Sequence, residues 1–407
     1  MACFHIVTAI IGAGVLGLPH ALSMLGVAGG VVALVAFFAV TLLCSFMLAD
    51  MYEVDGRKHA TYGDAVVHVL GRGSAIAVTV CQLLNLVLSA VGYTVAAGES
   101  LKMVVHSSCD VGDASCGASV WQMSIVFGGV QLLFSQMPSL ESAWWSSMVG
   151  AAMSVLYSSA AFGMGLARAD ASRLSVTGRV LPPGLKAFGI FNSLGAIAFA
   201  YSFSAVLLEV QDTLHEPPKS TLTMKRAVLA SMGVTFVFYM SVGITGYAAL
   251  GDATPGNILT GYASPAALVT AANAMVLVHM VPAYQVFSQP VFHMMEAALG
   301  RWRFAAAHPL AVRLVLRSLY VVATTAVACA MPFFSDIIGL IGALVFWPST
   351  VYFPIAMYTK VHGPPAWQRA GLQAINAVSF VVSVLAAVGS GWNIAQDAHT
   401  YALFGGR

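Results

Sequence analysis

Apolar runs of about 20 residues alternate with short polar stretches along the whole chain. An α-helix needs about 20 such residues to cross a bilayer, whereas a transmembrane β-barrel would show alternating segments of roughly 10. The pattern therefore predicts an all-α integral membrane protein, one transmembrane domain over residues 1–407. The eleven predicted spans cover residues 4–23, 27–51, 74–105, 119–137, 143–167, 188–210, 224–249, 264–297, 311–332, 336–357 and 371–394.

Residues 10–19, in the first span, are apolar enough to enter a bilayer but contain Gly12, Gly14 and Gly17. Glycine weakens a helix, and unpaired backbone at membrane depth is tolerated only where it lines a protein cavity. We expect the helix to be interrupted here. The alternative is close helix packing through small residues.

The sixth span has a second weak stretch, residues 195–204, in which glycine and two serines accompany Tyr201 and Phe203. Spans one and six begin two sets of five, residues 1–167 and 188–357, with 371–394 as an additional helix. An odd number of spans per set inverts the second set. Interrupted helices at matching positions of inverted halves are typical of secondary transporters with a midplane site.

Amino acids suit such a site because a half-helix N-terminus attracts a carboxylate and free carbonyls attract an ammonium group. A polar stripe in the third span, with side chains four residues apart on one face, also suits a cavity, although interhelical hydrogen bonds would explain it equally well. The predicted substrate residues are Gly12, Ala13, Gly14, Val15, Gly17, Asn85, Ser89, Tyr93, Ala198, Phe199, Tyr201, Ser202, Phe203 and Asn273.

Composition supports this class: 59% of residues are hydrophobic, 8% are charged, and mean hydropathy is +0.84. A net charge of +2 gives no basic field for nucleic acid. The chain has no metal-binding, nucleophile-elbow or phosphate-loop motif, so we expect neither an enzyme nor a metal or organic cofactor. A channel remains an alternative on composition, because it also needs irregular backbone at membrane depth.

The basic residues near helix ends predict the orientation. With the N-terminus in the cytosol, two thirds of the 18 Lys and Arg residues fall on the cytosolic side. The loop from Arg168 to Lys186 is basic although this topology places it outside. Cys109 and Cys116 share an outside loop, which predicts a disulfide, the alternative being two free thiols.

Proton coupling needs a titratable group near the site, and such groups are rare in a bilayer. We consider three: His5, before the first break; Glu209, beyond the second; and His279, in the eighth span. Histidine suits this role because its reference pKa is near 6.5. The alternatives are a water-boundary position for His5 and an end-of-helix ion pair for Glu209.

Several long runs resemble the plant-type amino acid permeases of the amino acid/auxin permease family. The resemblance implies a leucine-transporter-type fold of two inverted five-helix repeats. It also implies a proton-coupled importer of neutral and acidic amino acids, at the plasma membrane or an internal membrane. Of these we expect the plasma membrane, and we expect a single copy to be functional. The resemblance leaves three alternatives open: an auxin carrier, a lysine/histidine-type carrier or a non-transporting amino acid sensor. The matching runs are His5–Leu16, Tyr62–Val66, Gly92–Ala97, Ala196–Leu214, Gly246–Gly261, His279–Pro290 and Gly339–Pro354.

Overall fold

A computed structural model describes residues 12–106, 117–137, 144–214, 216–299 and 307–401. His5, Cys109 and Cys116 lie outside these residues, so their predicted roles stay predictions. The helices are α1 (Gly14–Asp50), α2 (Tyr62–Leu70), α3 (Gly73–His106), α4 (Val120–Ser135), α5 (Trp144–Leu166), α6 (Pro183–Ala200), α7 (Leu207–Asp212), α8 (Ser220–Leu250), α9 (Ala266–Leu299), α10 (Pro309–Ala330), α11 (Phe334–Val345), α12 (Phe353–His362) and α13 (Ala366–Thr400).

The protein is an all-α, multi-pass membrane protein. In the described part of the chain, nine helical stretches are long and apolar enough to cross a membrane, and α4 is a shorter apolar helix. The central helices α1, α6 and α11 pack against one another, α8 packs on α1, and α3 and α5 pack on α9. The buried core lies among these helices, while α13 exposes most of its surface.

The first long helix bends sharply at Gly26, where φ is +75° and ψ is 166°. This conformation is open to glycine and strained for other residues. A Cβ on Gly26 would also lie 2.2 Å from the carbonyl oxygen of Val176. The bend lies at the residue where spans one and two were predicted to separate.

The predicted interruption of the sixth span is also present. Helix α6 ends at Ala200, residues 201–203 are not helical, and a 3₁₀ turn, Ser204–Val206, leads into the short helix α7. Tyr201 has φ −98° and ψ 5°, outside the helical range. A second irregularity was not predicted: a π-helix, Phe346–Tyr352, joins α11 to α12. Its Pro348 has no amide hydrogen to donate, which favours the wider winding.

One end of the bundle, which we call the hairpin end, carries a two-stranded hairpin, Glu53–Val54 with Arg57–Lys58, and helix α2. The amphipathic pattern of α2 is typical of a helix on the membrane surface, but α2 packs against α3 and α12 instead. Tyr62 is fully buried there, and its hydroxyl donates to the carbonyl of Ser349 at 2.6 Å.

The opposite end carries the basic loop between α5 and α6, which departs from the charge rule used to orient the chain. Its cations bind backbone carbonyls. Arg168 donates to the carbonyls of Met164 and Ser264, and Arg179 donates to that of Thr254. Cations near helix C-termini are stabilised by the helix dipole. These hydrogen bonds give the basic residues of the loop a structural role.

Candidate substrate site

A cavity of about 270 Å³ lies where α1 begins and α6 ends. Small-molecule sites in proteins start at roughly 300 Å³, so the space suits a small ligand. Gly12 lines it at the start of α1, Ser202 and Phe203 line it at the break after α6, and α3, α5 and α9 complete the walls. It continues along α7 and α9 to Val210 and Pro290, towards the hairpin end.

The start of α1 places a helix N-terminus beside the cavity wall at Gly12. Within the described residues, the first amide that donates back along the chain is that of Val15, to the carbonyl of Gly12 at 3.4 Å, and the N-cap Ala13 forms no side-chain capping bond. Helix N-termini of this kind attract anions. The predicted unwound stretch is shorter than expected, because Gly14, Val15 and Gly17 are already helical.

Two of the glycines allow close packing of α1. A Cβ on Gly14 would lie 2.9 Å from the Cα of Ala200, and one on Gly17 would lie 2.5 Å from Cδ1 of Ile338. Gly14 thus brings the start of α1 against the end of α6. Gly17 serves close helix packing, which was the alternative to an interrupted helix.

The carbonyls at the end of α6 are less free than predicted. The Ala198 carbonyl accepts from the amide of Tyr201 at 3.2 Å and from the hydroxyl of Ser202 at 2.8 Å. The Ala200 carbonyl accepts from the hydroxyl of Tyr239 at 2.8 Å, and that of Phe199 accepts from the amide of Ser202. Both lone pairs of the Ala198 carbonyl are therefore used, whereas the Phe199 and Ala200 carbonyls each keep one for a ligand.

Six of the predicted residues with described positions line the cavity. On α3, Tyr93 stacks edge-on against Phe287 at 5.2 Å, and Asn85 accepts from the hydroxyl of Ser89 at 3.4 Å. No hydrogen bond of the Asn85 amide nitrogen is found within the described part of the chain. The six are Gly12, Asn85, Tyr93, Ser202, Phe203 and His279.

The other predicted residues do not line it. Tyr201 is fully buried and packs edge-on against Tyr239. Asn273 is fully buried and donates to the Val269 carbonyl in its own helix. Glu209 contacts the amide of Tyr62 at the start of α2. The positions that do not line the cavity are Ala13, Gly14, Val15, Gly17, Ser89, Ala198, Phe199, Tyr201, Glu209 and Asn273.

Among the described residues that line the cavity, His279 is the one imidazole. Its Nδ1 lies 2.8 Å from the carbonyl of Gly150. A carbonyl only accepts, so Nδ1 carries the hydrogen and Nε2 of the neutral ring is left as a proton acceptor. Nε2 faces the start of α1, 3.9 Å from where a Cβ on Gly12 would stand.

Sequence reasoning missed the apolar walls. They come from Leu86 and from two runs of residues spaced three to four apart, one within 205–210 and one within 282–290. This spacing could be read from the sequence. The sequence could not show that these residues line the site, because apolar faces in a membrane protein also contact lipid or other helices. The missed residues are Leu86, Gly150, Ala205, Val206, Val210, Pro282, Ala283, Val286, Phe287 and Pro290.

Comparison with solved structures defines the class. The chain is similar to Mhp1, a nucleobase-cation-symport-1 family transporter solved in a closed conformation with bromovinylhydantoin bound. The TM-score is 0.55 at 14% sequence identity, covering 99% of this chain and 93% of that chain. The fold is therefore that of the leucine-transporter-type secondary transporters, as expected. The predicted eleven spans, inverted repeat and domain division stay predictions.

The chain belongs to the transmembrane amino acid transporter family, whose model matches residues 1–396. It is 40% identical to amino acid permease 2 of Arabidopsis thaliana over 437 residues, covering 99% of this chain and 89% of that protein. It is also 32% identical to lysine histidine transporter-like 6 of the same plant, covering 98% and 92%. These findings confirm the resemblance to the plant-type permeases, and make the protein a transporter and not an enzyme.

Proposed function

We propose that this protein imports amino acids together with protons by alternating access. The observation that carries the proposal is the cavity where α1 begins and the sixth span is interrupted, with His279 as the one imidazole among the described residues of its wall. We assign the hairpin end to the cytosol, which also makes the N-terminus cytosolic. We further propose that one copy suffices, that the membrane is the plasma membrane, and that the proton is the only coupling ion.

The amino acid main chain binds between the two helix ends. Its carboxylate accepts from the amides at the start of α1, where the helix dipole favours negative charge. Its ammonium group donates to the carbonyls at the end of α6, of which Ala200 lies against Gly14. The side chain then extends along the apolar wall formed by Phe203, Val206 and Phe287.

His279 carries the proton. Its Nδ1–H is held by Gly150, so a proton taken up on Nε2 places positive charge beside Gly12 and the bound carboxylate. Binding of the substrate anion and of the proton thereby favour one another. When the proton and the substrate leave the site together, the positive charge of His279 and the negative charge of the carboxylate are both removed from the cavity. Isolated charges are costly in such a low-dielectric space.

The cavity wall supports a range of neutral and acidic side chains. Within the described residues, no Asp, Glu, Lys or Arg lines it. A lysine or arginine side chain would therefore lie in an apolar cavity without a counter-charge. An acidic side chain can use the free amide of Asn85 as a donor. The auxin and lysine/histidine-type alternatives have no such support from the cavity wall.

Uptake of labelled amino acids into proteoliposomes tests the proposal. We expect accumulation when the outside is acidic, and no accumulation once the pH gradient is collapsed. His279→Gln, which keeps an amide donor near Gly150, should abolish gradient-driven accumulation and leave exchange of internal for external substrate. His293→Gln is the matched control, because His293 is an exposed residue of the same helix.

Accumulation that survives collapse of the gradient would refute proton coupling. Accumulation by His279→Gln at the wild-type level would refute the assignment of the proton to this residue. A large, unsaturable flux in the wild type would favour the channel alternative over a carrier.

A further inference from the structure

Glu209 is a buried acidic side chain that the proposed transport cycle has not used. It lies on α7, next to Val210 in the cavity wall, but its side chain is directed elsewhere. Its Oε1 accepts from the backbone amide of Tyr62 at 3.3 Å, the first amide of α2. Its Oε2 is buried and has no hydrogen-bond partner among the residues that the structure describes.

This contact joins two elements that are far apart in the chain. Helix α2 has an N-cap, Thr61, whose side chain accepts from the amide of Asp64. Glu209 supplies an acceptor for another amide of the same first turn. An ionised carboxylate at a helix N-terminus is stabilised by the hydrogen bond and by the helix dipole.

The buried Oε2 opposes this stabilisation, because a charged oxygen without a donor loses its hydration and gains nothing in return. Protonation of Glu209 relieves that cost and weakens the bond to Tyr62. The two ionisation states therefore hold α7 against α2 with different strength.

Other charged and titratable groups face the same region. Asp64 repels the carboxylate from α2, and the phenol of Tyr62 is occupied by the Ser349 carbonyl. His68 on α2 bonds His59 before it, with 2.8 Å between the ring nitrogens. Three further contacts pair charged groups at this end. These are the ion pair of Asp50 with Lys225 at 2.6 Å, the ion pair of Lys58 with Glu216 at 3.1 Å, and the bond from the Tyr52 hydroxyl to Asp212 at 2.8 Å.

We propose that Glu209 is a positioning residue for the hairpin-end half of the interrupted sixth span, holding α7 against α2 while ionised and releasing it when protonated. Since α7 forms one wall of the cavity beyond the site, its release changes access from the hairpin end. The inference deepens the proposed function and rests on it for the link to transport. The contact between α7 and α2 is testable without transport.

Hydrogen exchange of the purified full-length protein measures this contact directly. After correction for intrinsic exchange rates, protection at the start of α2 and in α7 should fall about tenfold in the wild type between neutral and acidic pH, the difference between a charge-assisted and a neutral hydrogen bond. Glu209→Gln keeps an acceptor for Tyr62 but does not titrate, so its protection should not change with pH. Glu209→Ala should be unprotected throughout.

Asp212→Asn is the matched control. It lies on the same short helix, keeps an acceptor for Tyr52, and should retain the wild-type pH dependence. A Glu209→Gln variant that loses protection with acid as the wild type does would overturn the proposal, whether or not Glu209→Ala folds. In proteoliposomes at equal pH on both sides, substrate exchange by Glu209→Gln should depend on pH less than exchange by Asp212→Asn, while the contribution of His279 remains in both variants.

The two proposals fail in different ways. A wild type that does not accumulate amino acids under a pH gradient overturns the proposed function, while the exchange data still decide the role of Glu209. A wild type that accumulates them, with protection at α2 and α7 independent of pH, overturns the role of Glu209 alone.

Discussion

The meeting point of α1 and α6 gives the sharpest prediction, the substitution Gly14→Ala. The added Cβ would stand 2.9 Å from the Cα and 3.1 Å from the Cβ of Ala200. Carbon atoms prefer about 3.5–4.0 Å, so the helix ends must separate by roughly half an ångström to one ångström. The backbone of Ala200 is held by the hydroxyl of Tyr239 and does not yield freely.

Overpacking of this kind costs about 1–3 kcal/mol, against a gain of about 0.5–1 kcal/mol from replacing a helical glycine. A modest net loss of stability follows. The effect on transport should be larger, because the separation moves the amides of α1 away from the carbonyls of α6. Weakening one charge-assisted hydrogen bond to the substrate would raise KM about tenfold or more.

Saturable uptake and thermal unfolding of the purified variant measure the two effects. Gly163→Ala is the control, since Gly163 lies inside α5 and a Cβ there meets nothing within 4 Å. It should be neutral or slightly stabilising, with unchanged KM. If Gly14→Ala retained wild-type KM and Tm, the reasoning that this contact sets the site would be refuted.

Two further predictions concern stability. Arg317 is 1% exposed and bonds Glu296 at 2.7 Å, so Arg317→Met should cost about 3–5 kcal/mol by leaving a carboxylate unpaired. The double variant Arg317→Met/Glu296→Gln should recover part of the lost Tm. An unchanged Tm in Arg317→Met would contradict this prediction. The amide of Ser220 lowers the pKa of Glu216, so its stabilisation is present above the ordinary carboxyl pKa and lost as pH falls through the lowered value. Acid should therefore reduce the Tm of the wild type more than that of Glu216→Gln, and equal slopes would count against it.

The fold was largely predictable because the bilayer imposes it. Backbone groups in hydrocarbon must be paired within the chain, so apolar runs of about 20 residues become helices regardless of their neighbours. The same rule made the interruption at residues 201–203 and the bend at Gly26 visible as local departures. The π-helix escaped prediction because its winding depends on packing against α13 and α3 around Pro348.

The site was predictable only in part. Sequence alone identified two weak stretches, around Gly12 and around Ser202, and in the structure α1 begins at the first and α6 ends at the second. It also determined that His279 was a candidate for the proton, since titratable groups are rare in apolar spans. These conclusions rest on local chemistry, which needs no knowledge of neighbouring helices.

Tertiary structure decided which side chains share the cavity. Asn85 and Ser89 lie one turn apart on α3, yet only Asn85 lines it, and Glu209 faces α2 rather than the neighbouring cavity. In a bilayer, lipid and protein interior are both apolar, so a helix face carries no mark of which it meets. Only the packing of α3, α7 and α9 around the two helix ends distinguishes a cavity wall from a lipid-facing surface.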